Sequence, residues 1–481
     1  MDTSEGSVVA DCVRNEVVVF SGAGKPAKES DPEAWKHNEL WPSRHFGMST
    51  RRRFSRWKAS SGRNPGGEAM EVVYSCCAGL DVHKKTVSAC VLCREADSSK
   101  RHEVRVFGTM TRDLLALADW LRERGVTHVA MEATGVYWRP VWAILEGHHD
   151  LLLANPQHMQ AVPGRKTDTK DCEWIADLLQ HGLLQGSFVP PTEIQDLRDL
   201  TRYRAELTQE QNRVANRIQK LLEQANIKLS SVASDVLGVS GRQMLRALIA
   251  GETKAEQLAE LAQRRLRSKI PELRLALEGR VRDHHRFLLA EFLDEWEAIG
   301  KRIVRIEGEI ERRIGPFEYA VALWQTIPGM DRVTASSLVA EIGVNMEQFP
   351  SPAHLASWAA LCPGNHESAG KRRSGKTREG NRWLRRTLCQ AAWAVTRKKN
   401  GYLSAQFKRL AARRGVKRAV IAVAHTMLVI AYTMLKNSRS YQDLGGDYLE
   451  QINKHQLQRY FVKRLQKLGL TVTIEPAIGA A

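Results

Sequence analysis

The 481-residue sequence lacks several features that would place it in common protein classes. Its eight cysteines show no spacing typical of a disulfide framework, which favours a reducing cytoplasm. Cys90 and Cys93 form a lone CxxC with no second pair to complete a zinc site. A signal sequence and a GxxxxGK[ST] nucleotide loop are both absent. The longest apolar run, 419–435, could barely span a bilayer, and its central His425 favours a buried helix, so no membrane partner is expected.

Acidic residues are scarce beside basic ones: 54 Asp and Glu stand against 72 Lys and Arg, a net charge of +18. Such an excess is typical of proteins that bind a polyanion, most commonly nucleic acid. Between 371 and 418 seventeen Lys and Arg residues accompany one acid, Glu379. Because a solvated face normally mixes both signs, this run predicts a phosphate-binding surface. The candidate nucleic-acid contacts are Lys371, Arg372, Arg373, Lys376, Arg378 and Arg382, with Arg165 and Lys166 further upstream.

The chain changes character along its length. Residues 1–69 are rich in Ser, Gly, Pro and Arg without sustained periodicity, which predicts a disordered leader. This leader is either untranslated, with Met70 as the start codon, or a basic arm that touches nucleic acid. From 71 to 165 the pattern reads as three strands, then helix, strand, helix and strand. That order predicts an RNase H-like α/β domain.

Helical periodicity dominates the remainder of the sequence. Apolar residues recur every seven positions from Leu200 to Leu221, and a second stripe from Leu289 to Ile310 alternates steps of three and four. These stripes predict a coiled-coil hairpin or a dimerisation stalk, although helices buried within one bundle would show them too. The expected organisation is a leader (1–69), an α/β domain (70–190), a helical coiled-coil region (191–318), a mainly helical C-terminal domain (319–440) and a tail (441–481).

Four acids stand at the ends of these elements. Asp81 ends the first strand in "GLDVHK", Glu132 ends the fourth in "AMEATG", and Asp168 and Asp171 open a helix in "KTDTKDCEWIADLL". In an RNase H-like sheet the first and fourth strands are neighbours, so the four carboxylates would converge. Clustered carboxylates repel unless a cation neutralises them, and Mg²⁺ prefers such oxygen ligands. We therefore expect a catalytic site with two Mg²⁺ ions ~3.5–4 Å apart.

Several ordered motifs resemble the DEDD transposases of bacterial insertion sequences, which are bridge-RNA-guided recombinases. The motifs are "GLDVHKKTV", "MEATGVYW", "KTDTKDCEWIADLL" and "IPGMDRVTASSLVAEIG…LCPGNHESAGKRRSGKTREGNRWLRRTL", and the resemblance runs from about Met70 to about residue 440. It implies an RNase H/RuvC-like N-terminal domain, a coiled-coil stalk and a C-terminal transposase domain. It also implies that the metal ligands are Asp81, Glu132, Asp168 and Asp171.

The resemblance further implies a serine nucleophile five residues after the proline of a "GLxP" segment. Counting from Pro363 gives Ser368, and Ser374 in "RRSG" is the competing candidate. The implied partners are donor and target DNA, a non-coding guide RNA, and further copies of the chain in a dimer or tetramer, acting in the bacterial cytoplasm at the nucleoid. The alternative function is a metal-dependent nuclease or junction resolvase that forms no covalent intermediate.

One residue departs from the family pattern. "PGMD" places Asp331 where related hairpins often carry a second glycine. An acid would repel a phosphate that approached the backbone amides of this hairpin. Residues 328–334 are therefore expected to serve packing first and DNA contact second.

Overall fold

The structure, a computed structural model, describes residues 6–11, 16–21, 72–94, 100–133, 135–154, 171–363, 366–368, 371–374, 377, 380–452 and 454–473. The chain divides into two compact units, one of residues 25–189 and one of residues 1–24 with 190–481. Two antiparallel strands, β1 (Gly6–Asp11) and β2 (Glu16–Ser21), lie within the leader that was expected to be disordered. Both strands are rich in valine, a residue that favours extended structure, so the expectation of disorder is wrong for these two segments.

A five-stranded mixed sheet forms the centre of the 25–189 unit, in the order β5-β4-β3-β6-β7. The first three strands form an antiparallel meander, and the last two run parallel to β3. The predicted succession of strands and helices is confirmed, and it is consistent with an RNase H-like fold. The strands are β3 (Cys76–Val82), β4 (Thr86–Arg94), β5 (Lys100–Gly108), β6 (His128–Glu132) and β7 (Asp150–Ala154).

Helices cover both faces of this sheet. Helices α1 (Thr111–Glu123) and α2 (Trp138–Leu145) pack on one face, and α3 (Asp171–Gln180) packs on the other. With both faces covered, β3 is buried along almost its whole length, which explains its continuous apolar run. Gly79 lies directly beneath α3, because a Cβ at this position would collide with the helix backbone. The absence of a side chain at Gly79 therefore lets α3 pack closely against β3.

The cysteines of β3 and β4 require a correction. Cys76 and Cys93 lie opposite each other in the antiparallel pair, and their sulfur atoms are bonded, whereas no disulfide was expected from their spacing. The register of the hairpin brings them together, and register leaves no spacing signal. Cys90 packs with Cys172 on the α3 face, while Cys93 contacts the α1 face. The two CxxC sulfurs therefore cannot share one ion.

The second unit contains a pair of long antiparallel helices, of 33 and 32 residues, that contact each other along their lengths. Leu207, Val214 and Ile299 lie in their shared apolar core, and Arg204 bonds Glu307 across the pair at 2.8 Å. The two predicted stripes are thus largely buried within one chain, while a coiled coil between chains stays a prediction. The helices are α4 (Thr192–Gln224), α5 (Leu229–Val232), α6 (Val239–Ile249), α7 (Ala255–Glu260), α8 (Ile270–Ala276) and α9 (Asp283–Ile314), with a 3-10 turn at Arg264–Lys269.

The C-terminal part of this unit packs around one apolar helix, α15. Met427 and Ala431 on α15 are fully buried, and the indole N–H of Trp324 donates to the Ala431 carbonyl at 3.0 Å. Among the described residues α15 alone has the length and composition to span a membrane, and its burial agrees with the predicted core helix. After a 3-10 turn at Gly315–Phe317, the elements are α10 (Glu318–Gln325), α11 (Arg332–Ile342), α12 (Pro352–Trp358), β8 (His366–Ser368), β9 (Lys371–Ser374), α13 (Arg382–Val395), α14 (Tyr402–Arg414), α15 (Val416–Asn437), α16 (Tyr448–Ile452) and α17 (Lys454–Lys467).

Candidate active site

The two strand-end acids of the 25–189 unit are neighbours. Strands β3 and β6 pair in parallel with Leu80 opposite Met131, which places Asp81 beside Glu132 at the same end of the sheet. Leu80 and Met131 face α1, so alternation turns both acids to the α3 face. The predicted adjacency of the first and fourth strands is confirmed, and the catalytic role of these acids stays a prediction.

Asp81 is a buried carboxylate, only 9% exposed. Its Oδ2 lies 3.0 Å from Nε2 of the exposed His83. Among the residues that the structure describes, neither Asp81 nor Glu132 forms an ion pair with Lys or Arg. A buried carboxylate is costly without a compensating charge, and hard oxygen donors are those that Mg²⁺ prefers. The donor set at this end of the sheet therefore fits a divalent cation.

Helix α3 runs back over β3 with its N-terminus towards Asp81. The Cys77 thiol contacts the Ala176 carbonyl at 3.6 Å, while the start of the helix lies nearer the strand end. Burial raises the pKa of the Cys172 thiol to about 11, and the nearby Asp81 carboxylate adds to this increase. Asp171, the first residue of α3, is thus placed at the end of the sheet that carries Asp81. A helix N-terminus also favours negative charge there.

Only part of the predicted site lies among the residues that the structure describes. Asp168, Arg165 and Lys166 lie outside the described residues. Within the described ranges no group of three or more His, Cys, Asp or Glu side chains is arranged to hold a metal ion. The four-acid site therefore stays a prediction, of which the structure describes Asp81, Glu132 and Asp171.

Both candidate nucleophiles lie on one β-hairpin. Ser368, the last residue of β8, pairs with Lys371 beside the tip, whereas Ser374, the last residue of β9, pairs with His366 at the base. Arg372 and Arg373 lie on β9, while Lys376 and Arg378 lie outside the described residues. The structure thus places Ser368 beside the tip of a basic hairpin, and its chemical role stays a prediction.

The positive charges after this hairpin differ from those of the long helix pair. On α4 and α9, Arg204, Arg217 and Arg313 each lie within 4 Å of a carboxylate. Between α13 and α15, eight exposed cations have no acidic partner among the described residues. A surface whose charges are not neutralised within the chain favours a polyanion. The eight are Arg397, Lys399, Lys408, Arg409, Arg413, Arg414, Lys417 and Arg418.

Arg382 and Trp383 open α13, the helix that follows the hairpin. Arg382 is exposed, and its guanidinium carbon lies 5.1 Å from the centre of the Trp383 ring. The guanidinium carbon of Arg202 lies 5.9 Å from the same ring. Trp383 is only partly buried, and its contacts with two arginines make it part of the packing of this helix end.

The hairpin around Asp331 is used for packing within this unit. Asp331 caps α11, where its Oδ1 accepts a hydrogen bond from the backbone N–H of Thr334 at 2.8 Å. Arg332 bonds both Glu311 and Glu318, so its charge is neutralised within the chain. These contacts agree with the expectation that packing comes first at residues 328–334.

Sequence reasoning missed Glu341, a buried acid at the end of α11 that binds Arg202 and Asn381. Its partners lie 139 and 40 residues away in sequence, so no local pattern joins them. The available signal was a single acid in the otherwise uncharged stretch "VTASSLVAEIG". An acid at the buried end of such a helix needs a partner.

Two family models match parts of this chain. Residues 78–227 match the DEDD transposases of IS110 elements, and residues 321–408 match the transposase IS116/IS110/IS902 family. The chain is 25% identical over 301 residues to the transposase for insertion sequence element IS1111A of Coxiella burnetii, which covers 60% of this chain and 72% of the relative. It is 23% identical over 380 residues to the pilin gene-inverting protein of Moraxella lacunata, covering 76% and 96% respectively. Over these two regions the chain is therefore similar to the transposases of IS110 and IS116 elements.

Proposed function

We propose that this protein is a transposase, which cuts and rejoins DNA through a serine nucleophile and a four-acid Mg²⁺ site, guided by a non-coding RNA. The observation that carries the proposal is the pair Asp81 and Glu132, side by side on adjacent strands with no Lys or Arg partner among the described residues. The likeness to a protein named for inverting a pilin gene supports rejoining as well as cutting, because inversion requires both.

In this proposal Asp81, Glu132, Asp168 and Asp171 hold two Mg²⁺ ions. When bound, such ions neutralise the charge that develops on the phosphate and on the leaving oxygen. The chain's own contribution is positional. His83 bonds Asp81 and orients its carboxylate, and the backbone of α3 lies directly over Gly79, which directs the first turn of the helix to the acids.

The proposed nucleophile is Ser368. Its hydroxyl oxygen forms a bond to a DNA phosphorus while the bond from phosphorus to the 3′ oxygen breaks. The serine proton is lost, and the departing electron pair stays on the 3′ oxygen, which takes up a proton and leaves as a hydroxyl. A 3′ hydroxyl of another strand then attacks the phosphoserine and releases the serine. The covalent link conserves the phosphodiester energy, so the reaction needs no nucleotide cofactor.

The cations after the hairpin are the proposed nucleic-acid surface, together with Lys371, Arg372, Arg373, Lys376, Arg378 and Arg382, and with Arg165 and Lys166 near the acids. Charged surfaces of this kind bind DNA and RNA alike through their phosphates. A dimer or tetramer, in which the acids of one copy serve the serine of another, is part of the proposal. Sequencing of RNA that co-purifies with the protein tests the guide: a single structured species is expected, and bulk cellular RNA alone would count against it.

The decisive experiment compares Ser368→Ala with Ser374→Ala. The substrate is DNA labelled on the strand 3′ of the cut, because a 5′-phosphoserine link carries that label. Ser368→Ala is expected to bind DNA normally but to give no denaturation-resistant protein–DNA adduct and no recombinant product. Ser374→Ala is expected to keep both.

Three other outcomes would revise the proposal. Adduct loss in Ser374→Ala alone would move the nucleophile to the base of the hairpin. Full adduct formation by both single variants would remove the serine mechanism. DNA cleavage that persists in Ser368→Ala without any adduct would favour the alternative, a metal-dependent nuclease or junction resolvase.

A further inference from the structure

Glu341 is one of only two acidic side chains that are buried in the described part of the chain, the other being Asp81. It is 2% exposed and lies near the C-terminal end of α11. A buried carboxylate persists only where its charge and its oxygen lone pairs are satisfied. Its partners therefore show which parts of the structure it holds together.

The first partner is α4. Arg202 binds Glu341 through two parallel hydrogen bonds, from Nε to Oε1 at 2.7 Å and from Nη2 to Oε2 at 2.8 Å. Arg198, one turn earlier, donates to the backbone carbonyls of Ala340 and Glu341 at 3.0 and 2.8 Å. Paired contacts of this kind fix orientation as well as distance. The end of α11 is thus locked in register with α4.

The second partner is Asn381, the residue that caps α13. Its Nδ2 donates to Oε2 of Glu341 at 2.5 Å, while its Oδ1 accepts from the backbone N–H groups of Trp383 and Leu384, each at 3.0 Å. One amide therefore joins the buried carboxylate to the start of α13. Asn381 uses both ends of its side chain, so its contact with Glu341 can be removed separately from the cap.

Asn381 also ends the segment that carries the serine hairpin. The two sides of this segment meet below β8 and β9, where Pro363 pairs with Thr377. At Gly380 a Cβ would lie 2.7 Å from the Ala360 Cβ and 2.8 Å from the Trp358 carbonyl oxygen, so the chain returns tightly against the end of α12. The next residue is Asn381. The two ends of the hairpin segment therefore lie close together, and the Asn381–Glu341 hydrogen bond lies at its C-terminal end.

We infer that Glu341 is a positioning residue, which holds the base of the Ser368 hairpin to α4 through Asn381 and Arg202. The inference rests on the proposed role of Ser368. Phosphoryl transfer requires the attacking oxygen to be placed accurately, and a misplacement of about 1 Å can lower a rate about 100-fold. Glu341 is not among the residues proposed to touch DNA or the reacting atoms, so its loss should slow the chemical step more than it weakens DNA binding.

Two variants test this inference on the full-length protein. Asn381→Ser keeps a good helix cap but is too short to donate to Glu341. Glu341→Gln keeps the shape of the side chain but removes the charge that binds Arg202. Each is expected to lower the single-turnover rate of adduct formation at saturating DNA about 10- to 100-fold, with the Kd for DNA changed less than about 3-fold. Glu307→Gln is the matched control, because it breaks a partly exposed ion pair between α9 and Arg204, which lies on α4 like Arg202.

The double variant Asn381→Ser/Glu341→Gln separates positioning from general stability. If Glu341 acts through Asn381, the double variant should be no slower than the slower single variant, because the shared contact is lost only once. A merely structural role would lower the melting temperature but leave the rate per folded molecule equal to that of Glu307→Gln, and this result would overturn the inference. If Glu341→Gln fails to fold, Asn381→Ser alone decides. A wild-type protein that forms no Ser368-dependent adduct would instead overturn the proposed function.

Discussion

The two buried carboxylates show two ways in which this chain treats a charge removed from water. Glu341 receives two hydrogen bonds from Arg202 and one from Asn381, so the chain itself satisfies it. Among the described residues, Asp81 has the exposed His83 beside it and a second acid, Glu132, on the next strand. The first arrangement is complete without any other molecule, whereas the second leaves a negative charge that the proposed Mg²⁺ would neutralise. The difference separates a structural acid from a candidate metal ligand.

The largest expected effect is that of Asp81→Asn on catalysis. An amide at this position cannot replace an anionic ligand, so DNA cleavage should fall about 1,000-fold or below detection, as is usual when a catalytic group is lost. Mg²⁺ should raise the melting temperature of the wild type, because a ligand that binds only the folded state stabilises that state. At a concentration 100 times its Kd, such a ligand raises the free energy of unfolding by about 2.7 kcal/mol. Asp81→Asn should abolish that increase.

The metal-free stability of Asp81→Asn is the control for this prediction. Without Mg²⁺ the variant should be as stable as the wild type or slightly more stable, because a poorly compensated buried charge has been removed. Thermal melts of both proteins in EDTA measure this difference. Normal cleavage by Asp81→Asn, or an unchanged response of its melting temperature to Mg²⁺, would contradict the contrast between the two carboxylates.

Glu341→Gln should have the opposite effect on stability. Loss of the Glu341 charge leaves the guanidinium groups of Arg202 and of Arg198, whose side chain is only 12% exposed, without their carboxylate. Breaking a buried pair from one side costs about 3–5 kcal/mol. Urea unfolding of wild type and variant should show this loss with and without Mg²⁺ alike. Replacing both partners, Glu341→Gln with Arg202→Gln, should recover part of the loss. A Glu341→Gln protein as stable as the wild type would show that the network is not what holds α4 to α11.

Of these features, the sequence predicted those that depend on local residue patterns. Strand alternation and helix periodicity were enough to place Asp81 and Glu132 at the ends of the first and fourth strands, and hence side by side. They could not reveal that Cys76 faces Cys93, because strand register is set by the whole hairpin. Nor could they join Glu341 to Arg202, because that contact depends on how α4 packs on α11.

The local sequence pattern also could not show which helix each apolar stripe packs against. The sequence showed that apolar residues recur along α4 and α9, and this periodicity is the same whether the partner helix belongs to the same chain or to another. Leu207 and Ile299 lie in one core within the chain. Only the tertiary packing separates these arrangements, since the free energy gained by burying a leucine is indifferent to which chain supplies the neighbour.

The smallest expected effect concerns the exposed cations. The contrast between paired and unpaired charges can be tested there through the salt dependence of the affinity for DNA. Lys408→Ala with Arg409→Ala removes two charges that have no acidic partner among the described residues. If each meets one phosphate, the slope of log Kd against log salt concentration should fall by about 2. Arg312→Ala with Arg313→Ala is the matched control, because both arginines already bind Glu309. Fluorescence anisotropy over a salt series measures both slopes, and equal slopes in the two double variants would mean that unpaired charge does not mark the nucleic-acid surface.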